Sequence, residues 1–384
     1  MTPILGFTFP PQVRMVAAMR GHVEVVRLLL ETGADKDRAD KEGTTALMMA
    51  AMRGHVEVVR LLAEAGADKD VTCKNGLPLL IMAAVSDHVE VARVLVEAGA
   101  DKNMADNEGN TALMAAAMCG HVEVARLLVE AGADKDVASN SGITALMMAA
   151  ANGHVEVMRL LVEAGADKDV TSKRGTPALH ILAADGNVEA ARLLVEAGAD
   201  KNIGDNEGNT ALMTAAMSGH VEVVRLLVEA GVDKDLTYKG GIPALFLAAT
   251  RGHVEVAHLL VEGGAYKDVT SKEGIPALHI AAANGHVEIV RLLVGAGADK
   301  NIVDNDGNTA LMAAAMRGHV EVARLLVEAG ADKDVASNSG ITALMMAAGN
   351  GHVEVARVLV EAGSNKDVGT NNSEPAMKRR RLVS

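Results

Sequence analysis

Thirteen histidines are the residues of this chain best suited to metal binding or acid–base catalysis. Ten of them occupy one recurring position, beginning at His22, at intervals that are multiples of 33 residues. If neighbouring helices pack about 8–10 Å apart, two such histidines cannot both lie within about 2.1 Å of one zinc ion. The other three, His180, His258 and His279, are too scattered to form a site. We therefore predict no metal, no cofactor and no catalytic residue.

Acidic loops are a second candidate for chemistry, because calcium prefers carboxylate and carbonyl oxygens. The chain repeats an Asp-Lys-Asp or Asp-Lys-Asn loop, as at residues 134–136. A lysine stands among these carboxylates, and the alternating oxygen ligands of a calcium loop are missing, so a solvated turn is favoured. No nucleophile is paired with a base, and no glycine-rich phosphate loop lies between a strand and a helix. The sequence therefore predicts a protein that is not an enzyme.

The recurring histidines belong to a motif, Gly-His-Val-Glu, that repeats with a period of 33 residues. Degenerate copies of the motif stand at residues 87–90 and 186–189. A strict period of this length indicates a stack of small units that cannot bury their apolar faces alone. In residues 205–237, a polar turn precedes a short helix with Thr210 as its N-cap. Gly219 is placed to end that helix, and residues 221–229 have the apolar spacing of a second one. The pattern predicts an all-α protein.

This unit resembles the ankyrin repeat. The motifs that carry the resemblance are Gly-Ile-Pro-Ala-Leu-His at residues 274–279, Gly-His at 285–286 and Gly-Ala-Asp-Lys-Asn at 198–202. It covers residues 7–369 as eleven units, and it implies an ankyrin-repeat solenoid of helix-turn-helix-loop units. The usual core here is Thr-Ala-Leu-Met, and proline, where present, stands one place earlier than in the family. The family's threonine-to-histidine hydrogen bond is therefore not assumed.

The repeats divide the chain into an N-terminal capping repeat (residues 1–39), ten stacked repeats (40–369) and a degenerate twelfth repeat with a basic tail (370–384). A longer period of 99 residues, equal to three repeats, is superimposed on the 33-residue period. Residues 106–157 and 304–355 are nearly identical, which indicates recent duplication or design. Repeats this similar leave open a structural spacer, or an engineered array, with no dedicated ligand.

The resemblance implies a non-enzymatic scaffold or adaptor that binds another protein along a concave groove. One methionine position near the end of the first helix would face that groove, although these side chains could instead fill gaps between helices. The next position and the turn tips vary most between repeats, as expected of a recognition surface or of drift at solvent positions. The predicted partner-binding residues are Met52, Met118, Met217, Met316, Arg53, Arg251, Arg317, Asn107, Glu108, Lys173 and Arg174.

Composition restricts the classes of partner that the chain is expected to bind. The net charge is −13, which disfavours nucleic acid and anionic membranes and favours a protein partner with basic patches. Tryptophan is absent and only five residues are aromatic, so the array lacks platforms for base stacking. We expect a monomer. Lys378, Arg379, Arg380 and Arg381 resemble a nuclear import signal that an import receptor would bind, although a solubilising end would look the same.

Localisation is predicted from what is missing. The first residues lack the basic start and long apolar core of a signal peptide. No apolar run approaches the ~20 residues that cross a bilayer. Cys73 and Cys119 have neither metal-ligand nor disulfide spacing. We expect a soluble intracellular protein, cytoplasmic or nuclear.

Overall fold

The computed structural model describes residues 11–237 and 241–364. Two compact units divide the chain, residues 1–200 (unit 1) and residues 201–384 (unit 2). The candidate import segment, residues 378–381, and the remainder of the predicted basic tail lie outside the described residues, as does the beginning of the predicted capping repeat.

The described residues of unit 1 form twelve helices. They are α1 Pro11–Met19, α2 Val23–Glu31, α3 Ala46–Met52, α4 Val56–Glu64, α5 Leu79–Val85, α6 Val89–Glu97, α7 Ala112–Cys119, α8 Val122–Glu130, α9 Ala145–Ala151, α10 Val155–Glu163, α11 Ala178–Asp185 and α12 Val188–Glu196.

The described residues of unit 2 form ten helices. They are α13 Ala211–Ser218, α14 Val221–Glu229, α15 Ala244–Arg251, α16 Val254–Glu262, α17 Ala277–Ala283, α18 Val287–Gly295, α19 Ala310–Arg317, α20 Val320–Glu328, α21 Ala343–Gly349 and α22 Val353–Glu361. The resulting eleven helix pairs and the all-α fold confirm the predicted repeat architecture.

Local sequence explains where the helices begin and end. Thr210 precedes α13 and its hydroxyl accepts a hydrogen bond from the Met213 amide, which satisfies one of the unpaired N–H groups at the helix start. Gly219 follows α13 with φ 78°, a left-handed conformation that glycine adopts without a Cβ penalty. Both termini match the prediction for residues 205–237, and α14 spans the predicted residues 221–229.

The core lies between two layers of helices within each unit. First helices pack on first helices, as α13 on α15, and second helices on second helices, as α14 on α16. Ala215 and Ala216 are fully buried where first helices approach closely, and Val223 and Leu227 bury the inner side of α14. Each fully buried leucine contributes about 1.5–3 kcal/mol, so a repeat depends on its neighbours for stability.

The Asp-Lys-Asp loops join neighbouring repeats. Asp136 Oδ1 accepts a hydrogen bond from the Asp167 amide at 2.8 Å, and Asn103 Oδ1 accepts one from the Asp134 amide at 2.9 Å. The same bond, spanning 31 residues, recurs within both units, for example from the Asp332 amide to Asn301 Oδ1. These side-chain oxygens therefore hold the stack together, a role that the interpretation as solvated turns missed.

Candidate protein-interaction surface

The predicted methionine position is exposed on the first helices. Met52, Met118, Met217 and Met316 keep between 42 and 48% of their surface accessible, in helices whose other apolar side chains are mostly buried. Such exposure does not fit methionines that fill gaps between helices. A second recurring methionine position four residues earlier, represented by Met48, is instead buried.

The structure adds Val85 to this surface. Val85 occupies the methionine position at the end of α5 and is 44% exposed. Unit 1 therefore presents Met19, Met52, Val85 and Met118 in four consecutive repeats, with Met19 half-buried. We call these four residues the unit-1 stripe. The regular 33-residue spacing was the signal that could have identified Val85, but the prediction counted only methionines.

In unit 2, the row of exposed apolar residues at this position is broken. Thr250 and Ala283 lie between Met217 and Met316, and both are half-buried. The Thr250 hydroxyl donates a hydrogen bond to the Phe246 carbonyl at 2.8 Å, so its polar group is turned back to its own helix. The predicted methionines of unit 2 are therefore two separate apolar contacts.

The predicted arginines follow the methionine position directly and are exposed. Arg53 lies after Met52 in unit 1, whereas Arg251 and Arg317 end α15 and α19 in unit 2. Arg20, which the prediction left out, takes the same position after Met19 and is also exposed. Among the described residues, none of these four arginines forms an ion pair with a carboxylate.

The predicted turn-tip residues all belong to unit 1, and their backbones or side chains join neighbouring repeats. The Asn107 amide group donates to the Asn75 carbonyl at 3.0 Å, and the Glu108 carbonyl accepts from the Asn140 amide at 2.8 Å. Asn107 thus has a structural task, while the Glu108 carboxylate remains exposed.

Lys173 and Arg174 form another of these tips. The Lys173 amide donates to the Ser141 carbonyl at 2.9 Å, and the Arg174 amide donates to Ser172 Oγ at 3.3 Å. Both side chains are exposed. This tip therefore combines a backbone bond to the preceding repeat with two exposed cationic side chains.

The recurring histidines fix the backbone beneath the exposed position. His154 Nε2 donates to the Met118 carbonyl at 3.1 Å, and His55 Nε2 donates to the Met19 carbonyl at 2.9 Å. The same bond, from a recurring histidine to a carbonyl 36 residues earlier, occurs in unit 2 between His253 and Met217. Because a carbonyl only accepts, Nε2 must carry the proton. This geometry supports the structural interpretation of the histidines.

One repeat keeps this bond without the usual glycine. Asp87 has φ 55°, and among the described residues it is the one non-glycine in the left-handed region. Its carboxylate lies 3.7 Å from His121 Nδ1, while His121 Nε2 donates to the Val85 carbonyl at 3.1 Å. The aspartate carboxylate therefore lies beside the histidine that supports Val85, but beyond hydrogen-bond distance of its Nδ1.

Charge is divided between the two helix layers. Each described second helix carries at least one glutamate, and in α8 Glu123 lies 3.8 Å from Arg126, with Glu130 a turn later. The described first helices contain few charged residues, and Asp185 is the one carboxylate among them. The net negative charge of the chain thus belongs mainly to the second helices and the loops.

A family model, described as Ankyrin repeats (3 copies), matches overlapping stretches that together cover residues 14–372. The stretches are residues 14–106, 48–139, 80–172, 146–238, 230–304 and 278–372. The chain belongs to the ankyrin-repeat family. Ankyrin repeats generally act as protein–protein interaction modules, and the family is typically non-enzymatic. Comparison with the curated proteins finds no match.

His279 shows the effect of a departure from the ankyrin pattern. It is buried, and its Nε2 donates to the Asn308 carbonyl, whereas its Nδ1 has no hydrogen-bond partner. Pro276 occupies the position where other repeats have the threonine N-cap and offers no hydroxyl. Burial lowers the pKa of His279 below its usual value, and the Asn308 hydrogen bond and Asp304 only partly oppose this.

The described part of this ankyrin-repeat chain contains no cluster of three histidine, cysteine or acidic side chains arranged to hold a metal ion. Within residues 11–237 and 241–364, no helix is long and apolar enough to span a membrane. What the described surface does offer is exposed apolar and cationic side chains on a fixed helical frame, a combination suited to contact with another protein.

Proposed function

We propose that this protein is a non-enzymatic scaffold or adaptor that binds a partner protein through the solvent-facing side of its first helices. The observation that carries the proposal is the exposure of Met52, Val85 and Met118 in consecutive repeats, beside the exposed Arg53. An adaptable thioether next to a guanidinium suits a protein interface, where methionine and arginine are enriched.

The distribution of charge over the two helix layers specifies which charges the partner should present. The prediction from net charge alone was a partner with basic patches, which would suit the acidic second helices. The first-helix side instead carries unpaired arginines, so a partner contacting Met52 and Arg53 should present apolar side chains and carboxylates. A basic partner would contact the opposite side of the same repeats.

The test is affinity capture with two full-length variants of equal charge. The stripe variant carries Met52→Lys, Val85→Lys and Met118→Lys, which places three cations on the proposed surface. The control carries Ala65→Lys, Ala98→Lys and Ala131→Lys at the ends of second helices, where the side chains are exposed or half-buried. Far-UV circular dichroism and thermal melting establish that both variants fold like the parent chain.

A partner that is retained by the parent and the control but lost by the stripe variant supports the proposal. A partner lost equally by both variants would mean that added charge, and not the stripe, caused the loss. Equal recovery with all three proteins would contradict the first-helix interface and favour the spacer, for which the near-identity of residues 106–157 and 304–355 is the supporting observation.

The basic tail supports a second proposal, nuclear import through Lys378, Arg379, Arg380 and Arg381. Short basic segments of this kind are read by acidic receptor grooves, and the remainder of the chain is acidic. Replacing the four residues with alanine should shift a fluorescently tagged chain from nucleus to cytoplasm. An unchanged distribution would favour a solubilising end.

A further inference from the structure

The unit-1 stripe is preorganised for binding. Each stripe residue has its carbonyl held by the histidine of the next repeat: Met52 by His88 at 3.3 Å and Val85 by His121 at 3.1 Å. The bonds to Met19 and Met118 complete the set. The backbone is thus fixed while the side chains of Met52, Val85 and Met118 remain exposed and that of Met19 half-buried. This lowers the ordering cost of binding and sets a regular interval between contacts.

That interval restricts the conformation of the ligand. The helices α1, α3, α5 and α7 pack in succession, and packed helices lie about 8–10 Å apart, so the four stripe residues span about 24–30 Å. A β-strand returns to one face every two residues, or about 6.6–6.8 Å. An α-helix returns after seven residues, at about 10.5 Å. A polyproline II segment returns every three residues, at about 9.3 Å, near the middle of this range, whereas the helix lies slightly beyond it.

The surface also gives a strand nothing to pair with. The described first helices use their own backbone groups, and in the described residues isolated β-bridges occur only next to the turn tips, such as Thr72 with Pro78 in unit 1. A ligand that binds by adding a strand therefore has no edge on this face. A polyproline II segment needs no backbone partner, because its own N–H and C=O groups are solvated.

The charges beside the stripe distinguish its two ends. Arg20 and Arg53 follow Met19 and Met52, whereas the third and fourth repeats have Ser86 and Cys119 at that position. Both arginines are exposed, and neither forms an ion pair among the described residues. Carboxylates on the ligand would thus be favoured over the first two repeats and gain little over the next two.

Resting on the proposed first-helix interface, we infer that the unit-1 stripe binds a partner segment in the polyproline II conformation. The segment spans about ten residues, since nine intervals of 3.1 Å reach about 28 Å. It presents an apolar side chain at every third position, one for each stripe residue, and carries carboxylates at the end that lies over Arg20 and Arg53.

The experiment measures fluorescence anisotropy of labelled synthetic peptides with the full chain. The test peptide has leucine at every third position, proline between the leucines and two glutamates at one end. One comparison peptide has the same composition with leucine at every second position, and another has lysines in place of the glutamates. We expect the test peptide to bind at least about tenfold more tightly than either comparison peptide.

Variants of the chain locate the contact. Met52→Lys should abolish binding of the test peptide, whereas Ala65→Lys on the second-helix side should leave it unchanged. Arg20→Glu with Arg53→Glu should remove the preference for glutamate over lysine. In unit 2, Thr250→Met with Ala283→Met completes a second stripe, and isothermal titration should then show two sites in place of one.

Equal affinities for the two leucine spacings, or binding that survives Met52→Lys, would overturn this inference. If no peptide binds while a captured protein is still lost by the triple stripe variant, the interface stands and the polyproline II ligand is wrong. If the stripe variant also retains every captured protein, the proposed function itself fails.

Discussion

Gly120 shows why single residues in this stack resist substitution. It ends α7 with φ 78°, and a Cβ placed there would lie 2.6 Å from His154 Nδ1 of the next repeat. Gly132 also has a left-handed backbone, with φ 81°, but a Cβ there meets nothing within 4 Å. The two glycines therefore separate backbone strain from crowding.

We expect Gly132→Ala to lower the free energy of unfolding by about 1–2 kcal/mol through backbone strain alone. Gly120→Ala should cost clearly more, because the His154 ring must also shift and its bond to Met118 is disturbed. Urea denaturation of both variants checks this. Similar losses would show that the contact with His154 relaxes freely.

A second variant tests the cause at Gly120. The histidine position of one repeat holds Asn187, which lies 3.7 Å from the Cβ position of Gly153, an ordinary contact. We therefore expect His154→Asn to recover part of the loss caused by Gly120→Ala, which a double-mutant cycle would measure. Strict additivity of the two changes would contradict this explanation.

His279 should make stability depend on pH. Its pKa in the folded chain is lowered by burial, whereas the unfolded chain has a value near 6.5. As the pH falls below about 6.5 the unfolded chain takes up the proton first, so stability is lost until the lowered pKa of the folded chain is reached. The stabilising range therefore lies above the pKa of the unfolded chain.

His279→Met is the matched change, since Met213 and Met312 fill the same position in unit 2 and are buried. The variant should lose less stability between pH 7 and pH 5 than the parent, measured by urea denaturation across that range. An identical pH dependence would show that His279 does not contribute to it.

At the scale of elements, the exposed loops stabilise the packing of neighbouring repeats through hydrogen bonds. Asp136 Oδ1 holds the Asp167 amide at 2.8 Å. Asp136→Ala should lower the free energy of unfolding by about 0.5–1.5 kcal/mol, the usual net value of one hydrogen bond. Asp136→Asn should be nearly neutral, because Asn103 and Asn301 accept the same bond in other repeats. Equal effects in urea denaturation would point to charge and not to the bond.

The helices themselves were predictable, because their signals are local. Thr210 and Gly219 mark the ends of α13, and the spacing of Val223 and Leu227 marks the buried side of α14. The bonds between repeats were not predictable. The bonds made by the loop carboxylates and by the recurring histidines join residues 31 or 36 apart, so they connect different positions of neighbouring repeats, and a period of 33 gives no sign of them.

At the scale of the molecule, a repeat should be removable as a whole. In unit 1, α7 and α8 pack against their neighbours α5, α6, α9 and α10. Deleting residues 106–138 removes one full period and joins equivalent positions. We expect unchanged helicity per residue by circular dichroism and a smaller urea m-value, because less surface is buried.

Deleting residues 106–121 instead removes α7 but leaves α8 without its partner. This shorter deletion should expose apolar surface and increase binding of a hydrophobic dye, although it removes fewer residues. If it were tolerated better than the full-period deletion, the repeat would not be the unit of stability.

The sequence by itself determined the period and the helix pairs, since these follow from local spacing and from capping residues. Tertiary structure decided which positions remain exposed. Met48 and Met52 lie four residues apart on the same helix, and therefore on nearly the same side of it, yet Met48 is fully buried and Met52 is 48% exposed. Their difference arises because neighbouring helices cover one and leave the other open, and the sequence of a single repeat holds no record of that contact.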